Sequence, residues 1–233
     1  MTPAVAVTSQ FSDEPRSGGV TPLICQTILA GVVSRSYAPK QDIFYEGDPR
    51  RSVYQIESGT VCLYKGLPDG RRQIFDFGFP GDLIGLGAPA AYSCGAQAIG
   101  SVQLKTIPLP RLYELASRDP GLALGLYHAI SSELEATRDL LLTLGQRDAT
   151  ERVAVFLLTL SQRNVRAGKN PCLLTIPMTR SDIGDLLGTT IETVSRCLTK
   201  LRQQKLIGMV RGSLIQILDM DGLKALSGQM NYH

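Results

Sequence analysis

Four side chains between residues 191 and 196 have the chemical types and the spacing needed to read the edges of DNA base pairs. Arg196 can donate a pair of hydrogen bonds to guanine, and Glu192 can accept one from the amino group of cytosine. Ile191 can contact the methyl group of thymine, and Ser195 shares one helix face with them. We therefore predict that Ile191, Glu192, Ser195 and Arg196 contact bases in the major groove.

Residues of the types that bind phosphate surround these four positions. Hydroxyl, guanidinium and ammonium groups bind the phosphate backbone, which orients a protein on DNA without reading its sequence. Residues 148–233 contain 11 Lys or Arg against 7 Asp or Glu, whereas residues 1–147 contain 13 against 14, so the modest basic excess lies near these positions. Double-stranded DNA is therefore the expected partner. The predicted phosphate contacts are Thr179, Arg180, Thr190, Lys200 and Arg202.

These side chains are predicted to lie on a helix-turn-helix. The first helix starts after Thr179, a capping residue, and ends at Gly188, while the second starts after Thr190 and runs to about Lys205. Two helices that cross at about 90–120° need a small residue at the crossing and a turn residue that tolerates positive φ. Gly184 and Gly188 have the right spacing for these roles, which an ordinary helical hairpin would not require. The predicted shared core consists of Ile183, Leu187, Val194, Cys197, Leu198 and Leu201.

A long amphipathic helix is predicted between residues 119 and 146. Asp119 can cap its N-terminus, Pro120 suits its first turn, and Gly145 is expected to end it. Its seam positions recur at alternating steps of three and four residues, the pattern of a coiled coil. We predict a homodimer through this seam, the alternative being a helix packed on its own domain. The seam residues are Tyr127, Ile130, Leu134, Thr137, Leu141 and Leu144.

The first half of the chain alternates short β-like runs with glycine turns. The runs Val53 to Ile56 and Val61 to Tyr64 are interpreted as separate strands with a turn at Ser58-Gly59 between them. Strands this short, with turns about every 8 to 12 residues, predict a small antiparallel roll or barrel.

Four parts of an α+β fold follow from these patterns. Residues 1–21 are rich in Pro, Ser, Gly and Thr and are expected to be a disordered tail. Residues 22–118 are predicted to form the β-roll, and residues 119–146 the dimerisation helix. Residues 147–233 are predicted to form a winged helix-turn-helix domain, with a two-stranded wing at 206–217.

The scarcity of cysteine and histidine excludes several classes of function. The five cysteines are scattered, with no two closer than 25 residues, which argues against disulfides and against a local zinc or iron–sulfur site. The two histidines, His128 and His233, are too few for a multi-histidine metal centre, so no metal-dependent β-roll enzyme is expected. No apolar run approaches the roughly 18 residues of a membrane span. The N-terminus also lacks the residue order of a signal peptide, so a cytoplasmic protein with no membrane partner is expected.

Two stretches of the chain resemble a known family. Residues 148–152 (DATER) and 178–201 (MTRSDIGDLLGTTIETVSRCLTKL) resemble the CRP/FNR superfamily of bacterial transcription regulators, in particular its FNR/FixK branch. The resemblance covers residues 22–226 in broad outline. It implies a jelly roll like the cyclic-nucleotide-binding domain, a dimerisation helix and a winged helix-turn-helix. It also implies an activator that binds promoters as a dimer and contacts RNA polymerase.

The same resemblance implies roles for the base-reading residues. Glu192 and Arg196 would make the G·C contacts that the family shares. Ile191 and Ser195 are similar to the residues of the branch that reads TTGA–N6–TCAA palindromes. The cyclic-AMP branch has Arg and Gly at these two positions.

The effector sites of the family are not matched in this chain. A cyclic-nucleotide pocket of this family needs a Gly-Glu pair and an Arg-Ser pair, but here Leu86 follows Gly85 and residues 93–98 contain no Arg-Ser. The oxygen-sensing members hold an iron–sulfur cluster on four cysteines, whereas this chain has only Cys25 near its N-terminus and Lys105 at the position of the distant ligand. The resemblance therefore implies a FixK-type regulator that has no bound cofactor and is controlled by its own expression level.

Two alternatives remain open. The β-roll could hold haem or another small-molecule effector, with His128 as the internal nitrogen ligand. Cys197 could act as a redox switch because it adjoins Arg196, although its helical position predicts core packing, where a thiol is inert.

Overall fold

The computed structural model describes residues 32–87, 90–211 and 213–228. Three features discussed above lie outside these ranges, namely the tail at 1–21, Cys25 and His233, and so does Gly212 within the predicted wing. The described strands are β1 (Ser34–Tyr37), β2 (Asp42–Phe44), β3 (Ser52–Gly66), β4 (Arg72–Gly78), β5 (Leu83–Ile84), β6 (Gly95–Pro108), β7 (Leu173–Thr175), β8 (Ile207–Arg211) and β9 (Leu214–Ile217). The described helices are α1 (Leu109–Arg118), α2 (Pro120–Gln146), α3 (Ala149–Arg166), α4 (Arg180–Leu187), α5 (Ile191–Gln203) and α6 (Met220–Leu226). This order is that of the predicted α+β fold.

The N-terminal strands form an antiparallel sheet that rolls around an apolar core. Strand β3 pairs with β4, β5 and β6, and β6 also pairs with β1 and β2. Side chains that alternate along the strands, such as Val61, Leu63 and Leu104, are buried inside the roll. Alternation of this kind is expected where one face of a sheet covers a core and the other meets solvent.

Strands β3 and β6 are much longer than the sequence pattern predicts. The prediction of a turn at Ser58-Gly59 is wrong. Strand β3 continues through these residues, and the register of β3 against β6 shifts on both sides of Ser58. Gly59 has a φ of 88°, and a Cβ there would lie 2.4 Å from the carbonyl oxygen of Ser101. The glycine therefore permits a bulge where β6 passes close, and a long strand with a bulge has the sequence pattern of two short strands.

Helices α1 and α6 have no counterpart in the predictions from the sequence. Helix α1 follows β6 without a break and buries Leu109 and Leu112 against Val53 and Ile107 of the roll. The range predicted as β-roll therefore also contains a helix. Its start was hidden because Pro108 and Pro110 look like a turn rather than a helix N-terminus.

Helix α2 begins after Asp119 and ends at Gln146, the last residue of the predicted range. The carboxylate of Asp119 accepts the amide hydrogens of Gly121 and Leu122 at 2.9 and 3.2 Å. Gly145 does not end the helix, which continues to Gln146, because an interior glycine costs only about 1 kcal/mol relative to alanine. Although α2 has 27 residues, no helix in the described segments is long and apolar enough to cross a membrane.

The C-terminal elements share one core, and part of the roll completes it. Strand β7 pairs with β9, so the predicted two-stranded wing of β8 and β9 belongs to a three-stranded sheet. Cys62, Ile74 and Phe77 of the roll pack into the same apolar cluster as helices α3, α4 and α5. The ring of Phe77 meets that of Phe156 edge-on, with centroids 6.4 Å apart. The C-terminal unit is thus packed directly against strands β3 and β4.

Candidate nucleic-acid interface

Helices α4 and α5 have the predicted helix-turn-helix boundaries. Thr179 Oγ1 accepts the amide hydrogen of Asp182 at 3.1 Å, and the carboxylate of Asp182 accepts that of Thr179 at 2.8 Å, which closes a capping box. Gly188 ends α4 in the left-handed conformation, with φ 60° and ψ 43°. Thr190 caps α5 by accepting the amide hydrogen of Thr193 at 3.3 Å. The two helices are therefore defined by local contacts that the sequence itself encodes.

The crossing of the two helices depends on Gly184. A Cβ at this position would lie 2.8 Å from the carbonyl oxygen of Thr189, a backbone atom that cannot rotate away. The interior side chains of both helices, including Ile183, Val194 and Leu201, are buried around this crossing. The close approach sets the angle at which α5 leaves the domain surface, and hence the angle at which it would enter a groove.

We expect Gly184→Ala to destabilise the protein by about 1–3 kcal/mol, because the added methyl group overpacks a backbone contact. The matched control is Gly145→Ala, also inside a helix, where a Cβ meets nothing within 4 Å. The control should be neutral or should stabilise by up to about 1 kcal/mol, because alanine favours helix. Urea unfolding of both variants checks the prediction, and equal stabilisation by both would contradict the close crossing.

The four predicted base-reading residues lie together at the N-terminal end of α5. Ile191 is 46% exposed, Glu192 and Arg196 are exposed, and Ser195 is half-buried. The hydroxyl of Ser195 donates to the carbonyl oxygen of Ile191 at 2.8 Å, and Arg196 Nη2 donates to Thr193 Oγ1 at 3.0 Å. A hydrogen bond from the Thr190 side chain holds the pKa of Glu192 below its usual range. Glu192 is therefore ionised at neutral pH and can act only as an acceptor.

The predicted phosphate-binding residues lie on the same two helices. Thr179, Thr190, Lys200 and Arg202 are exposed, and Arg180 is half-buried. The hydroxyls of Thr179 and Thr190 cap the two helices and so lie at the positive ends of the helix dipoles. Thr179 and Arg180 thus lie at the start of α4, Thr190 caps α5, and Lys200 and Arg202 lie in the last turn of the helix whose N-terminal end carries the predicted base-reading face.

Arg152 is a further residue of the site that the predictions did not single out. Its Nη2 donates to the carbonyl oxygen of Leu144 at 2.7 Å, its Nε to that of Arg147 at 3.0 Å, and its Nη1 to that of Leu187 at 2.9 Å. One guanidinium therefore joins the end of α2 to the end of α4. Only arginine offers enough donors in a planar fork for three carbonyl groups. Its place in the DATER stretch is the signal in the sequence, but that motif does not predict the bond to Leu187, which lies 35 positions away.

Helix α2 presents an apolar face to solvent. Among the predicted seam residues, Tyr127, Ile130, Leu134 and Leu141 are between 48% and 66% exposed, and Thr137 is exposed too. Leu144 is half-buried beside the end of α4. Two leucines outside the predicted seam are also exposed, so the face is wider than expected. We call the following residues the apolar stripe: Leu124, Tyr127, Ile130, Leu134, Leu141 and Leu142.

A cleft of about 1150 Å³ lies between the roll, helix α2 and helix α3. Its wall includes His128 of α2, but no group of three or more His, Cys, Asp or Glu side chains in the described segments is arranged to hold a metal. Arg163 Nη1 bonds to Asp82 Oδ2 at 2.7 Å, and its guanidinium lies 4.7 Å from the centre of the Phe79 ring. Burial raises the pKa of Asp76, in the same wall, to about 6. The cleft thus combines apolar surface with charged side chains, of which Arg163 and Asp82 form an ion pair.

The raised pKa of Asp76 predicts a pH effect on stability. Because the folded protein binds this proton more tightly than the unfolded chain, wild type should gain stability relative to Asp76→Asn as the pH falls from 7 through 6. The gain should total about 1–3 kcal/mol near pH 4. The control is Asp69→Asn: hydrogen bonding to Arg71 lowers the pKa of Asp69, so wild type should lose stability relative to this variant, and only below about pH 4. Thermal unfolding from neutral pH to below about pH 4 tests both signs, and a pH-independent Asp76→Asn difference would contradict the raised pKa of that carboxyl.

Known protein families match both halves of the chain. Residues 34–119 match the cyclic nucleotide-binding domain, and residues 151–226 match the Crp-like helix-turn-helix domain. The chain is 41% identical to the transcriptional activatory protein AadR of Rhodopseudomonas palustris, across 82% of this chain and 80% of the relative. It is 38% identical to the nitrogen fixation regulation protein FixK of Bradyrhizobium diazoefficiens, across 82% and 80% of the two chains.

A solved structure gives the same result. FixK2 from Bradyrhizobium japonicum superimposes with a TM-score of 0.79 at 36% identity, covering 84% of this chain and 96% of that one. The relatives are regulators of transcription, and the helix-turn-helix described above is the DNA-binding element of their family. The chain therefore belongs to the CRP/FNR family, as a transcription regulator of the FixK/FNR type.

Proposed function

We propose that this regulator binds TTGA–N6–TCAA-like palindromes at promoters as a homodimer and activates transcription by contacting RNA polymerase. One observation carries the proposal. Ile191, Glu192, Ser195 and Arg196, the combination similar to that of the TTGA-reading branch, lie together at the N-terminal end of α5. That end of a recognition helix is the part that reaches base edges in the major groove.

The apolar stripe of α2 supports the dimer. Contiguous exposed apolar surface of this kind marks an interaction face, and a second copy of the same helix would cover it symmetrically. In TTGA–N6–TCAA the half-site centres are about 10 base pairs, or about 34 Å, apart. A dimer joined along α2 would then place its two α5 helices in successive major grooves.

Two observations support activity without a cyclic nucleotide. The Arg50 guanidinium in the cleft wall bonds to the carbonyl oxygen of Gly85 and to the hydroxyl of Tyr113, at 3.4 and 3.2 Å. Arg163 is engaged by Asp82. These cations are already bonded within the protein, so they are poorly suited to bind a cyclic phosphate.

Contacts at two further residues support activity without a cluster or a thiol switch. Lys105, at the position of the distant cluster ligand, pairs with Glu57 at 3.2 Å. Cys197 is buried, with its Sγ 3.7 Å from Thr150 Oγ1. A buried thiol packed in this way is a poor redox sensor.

A second candidate keeps the DNA-binding unit and places an effector in the cleft. The size of the cleft and the position of His128 in its wall favour a haem or a small apolar ligand there. A visible absorption spectrum of the haem-reconstituted protein distinguishes the candidates. A sharp Soret band that His128→Ala abolishes would favour the haem candidate.

A gel shift on TTGAT–N4–ATCAA tests the proposed function. Protein purified in air should bind this DNA without additions, and neither cyclic AMP nor reductant should change its affinity. The control DNA has both half-sites scrambled at the same length. Equal binding to the two DNAs contradicts the proposal, and an absolute requirement for cyclic AMP or reductant contradicts its effector-independent part.

A further inference from the structure

Strand β4 of the roll contacts the first helix of the helix-turn-helix through charged side chains. Arg72 Nη2 bonds to the carboxylate of Asp182, and Arg72 Nε bonds to Asp185 Oδ2 at 3.2 Å. The side-chain amide of Gln73 donates to the carbonyl oxygen of Asp185. One edge of the roll is therefore hydrogen-bonded to two successive turns of α4. We call these bonds the Arg72 contact.

The roll holds Arg72 in the orientation that this contact requires. Its Nη1 donates to Gln97 Oε1 at 2.8 Å, and Gln97 Nε2 donates to Asp42 Oδ1 at 3.1 Å. The hydroxyl of Tyr64 donates to the same carboxylate oxygen at 3.0 Å. Because Gln97 already holds the guanidinium of Arg72, that side chain loses little conformational entropy when it binds a carboxylate.

The Arg72 contact is also shielded from solvent. The side chain of Arg72 is 31% exposed and that of Asp182 is 10% exposed. Charge-assisted hydrogen bonds in such surroundings are screened less than a pair on the open surface. The contact therefore resists changes in the angle between the roll and α4.

The opposite end of α4 is joined to the dimerisation helix. Arg152 bonds to the carbonyl oxygen of Leu187, the last residue of α4, and to that of Leu144 in α2. Only Arg147 and Asp148 separate α2 from α3. Helix α4 is thus held at Asp182 and Asp185 by the roll and at its last residue by Arg152 of α3, which also bonds to α2.

The base-reading face stays open while the Arg72 contact is made. Glu192 and Arg196 are exposed, and the roll side chains of the contact bond to α4 rather than to α5. Thr179, beside Asp182, is exposed as well. The packed arrangement is therefore compatible with DNA binding, which argues against an inhibitory role for the contact.

We propose that Arg72 is a positioning residue that sets the half-site spacing which the dimer accepts. This inference rests on the proposed function. One added base pair moves the second half-site by about 3.4 Å and rotates it by about 34–36° about the DNA axis. A dimer whose α4 helices are fixed to the roll tolerates this change poorly. A dimer whose reading domains swing about the two-residue linker tolerates it better.

Gel-shift affinities of Arg72→Met for N5, N6 and N7 palindromes and for a single TTGA half-site test this inference. Wild type should prefer N6. Arg72→Met should lower the N6-to-N7 affinity ratio by roughly fivefold or more, the effect of about 1 kcal/mol of lost coupling. Binding to the single half-site should change by no more than about twofold. Arg72→Lys, which keeps the charge, should retain part of the preference.

Matched variants separate positioning from folding. Arg71→Met removes the neighbouring arginine, which bonds only within its turn to Asp69 in the described contacts, and should leave the ratio unchanged. Asp185→Asn weakens the Arg72 contact but keeps the Thr179–Asp182 cap, and it substitutes for Arg72→Met if that variant does not fold.

Each result decides between specific explanations. An unchanged ratio in Arg72→Met or Asp185→Asn overturns the inference, as does an equal loss of affinity on every DNA, including the single half-site. Tighter binding to every DNA would show an inhibitory contact and would also overturn it. Failure of wild type to bind any palindrome better than scrambled DNA overturns the proposed function instead.

Discussion

Ile130→Glu should turn the dimer into a monomer and lower affinity for the TTGA–N6–TCAA palindrome by roughly a hundredfold or more. Ile130 lies in the apolar stripe of α2 and is 48% exposed in the single chain. In a symmetric dimer this position meets its own copy, so the substitution would bring two carboxylates together in an apolar interface. Desolvation and repulsion of these charges would separate the subunits. A single subunit could then bind only one half-site, so the gain in affinity from binding both at once would be lost.

Sedimentation equilibrium and gel shifts check this prediction together. Asp139→Lys is the control, because it changes the charge of the same helix by two units at an exposed position away from the stripe. The control should remain dimeric and keep its affinity. A dimeric Ile130→Glu variant with unchanged DNA binding would show that α2 does not form the subunit interface.

Arg196→Ala should cost about 1–3 kcal/mol for each half-site, or roughly 5- to 150-fold in affinity per half-site, and the intact palindrome should lose both contributions. The guanidinium is exposed on the base-reading face and held only by Thr193 in the described contacts, so it is free to turn toward a guanine. Without this side chain, the variant should bind with similar affinity whichever base occupies the guanine position of each half-site. The affinity for all four bases at that position, measured for wild type and variant, gives the result directly.

Lys200→Ala is the matched control for Arg196→Ala. Lys200 lies on the same helix, but its predicted partner is phosphate, so its loss should weaken all sites alike and make the salt dependence shallower. If Arg196→Ala keeps the base preference of wild type, the assignment of the base-reading face is wrong. If Lys200→Ala alters base preference, the separation of the two classes of contact is wrong.

The features that could be predicted from the sequence depend on contacts between near neighbours. Thr179 and Asp182 are three residues apart, so the capping box is visible in the sequence. Gly184 and Gly188 are also recognisable from the sequence. Gly184 leaves no side chain at the helix crossing, and Gly188 adopts the positive φ of the turn. The seam of α2 was predictable because a helical repeat places its residues on one face.

The features that were missed depend on partners far apart in the chain. Arg72 and Asp182 are separated by 110 positions, and neither residue's type or local sequence predicts which residue it will contact. Arg152 was visible as part of a motif, but its acceptor at Leu187 is 35 positions away and comes within reach only when α3 packs beside α4. Gly59 was mistaken for a turn because a glycine at a bulge and a glycine in a turn both have positive φ.

Selection of DNA from a random pool by the purified protein, without cyclic nucleotide or reductant, tests the central claim most directly. The account predicts enrichment of an inverted repeat with TTGA half-sites separated by six base pairs, because Ile191, Glu192, Ser195 and Arg196 are presented together by each subunit of a symmetric dimer. Enrichment of half-sites other than TTGA, or of no repeat at all, would contradict it.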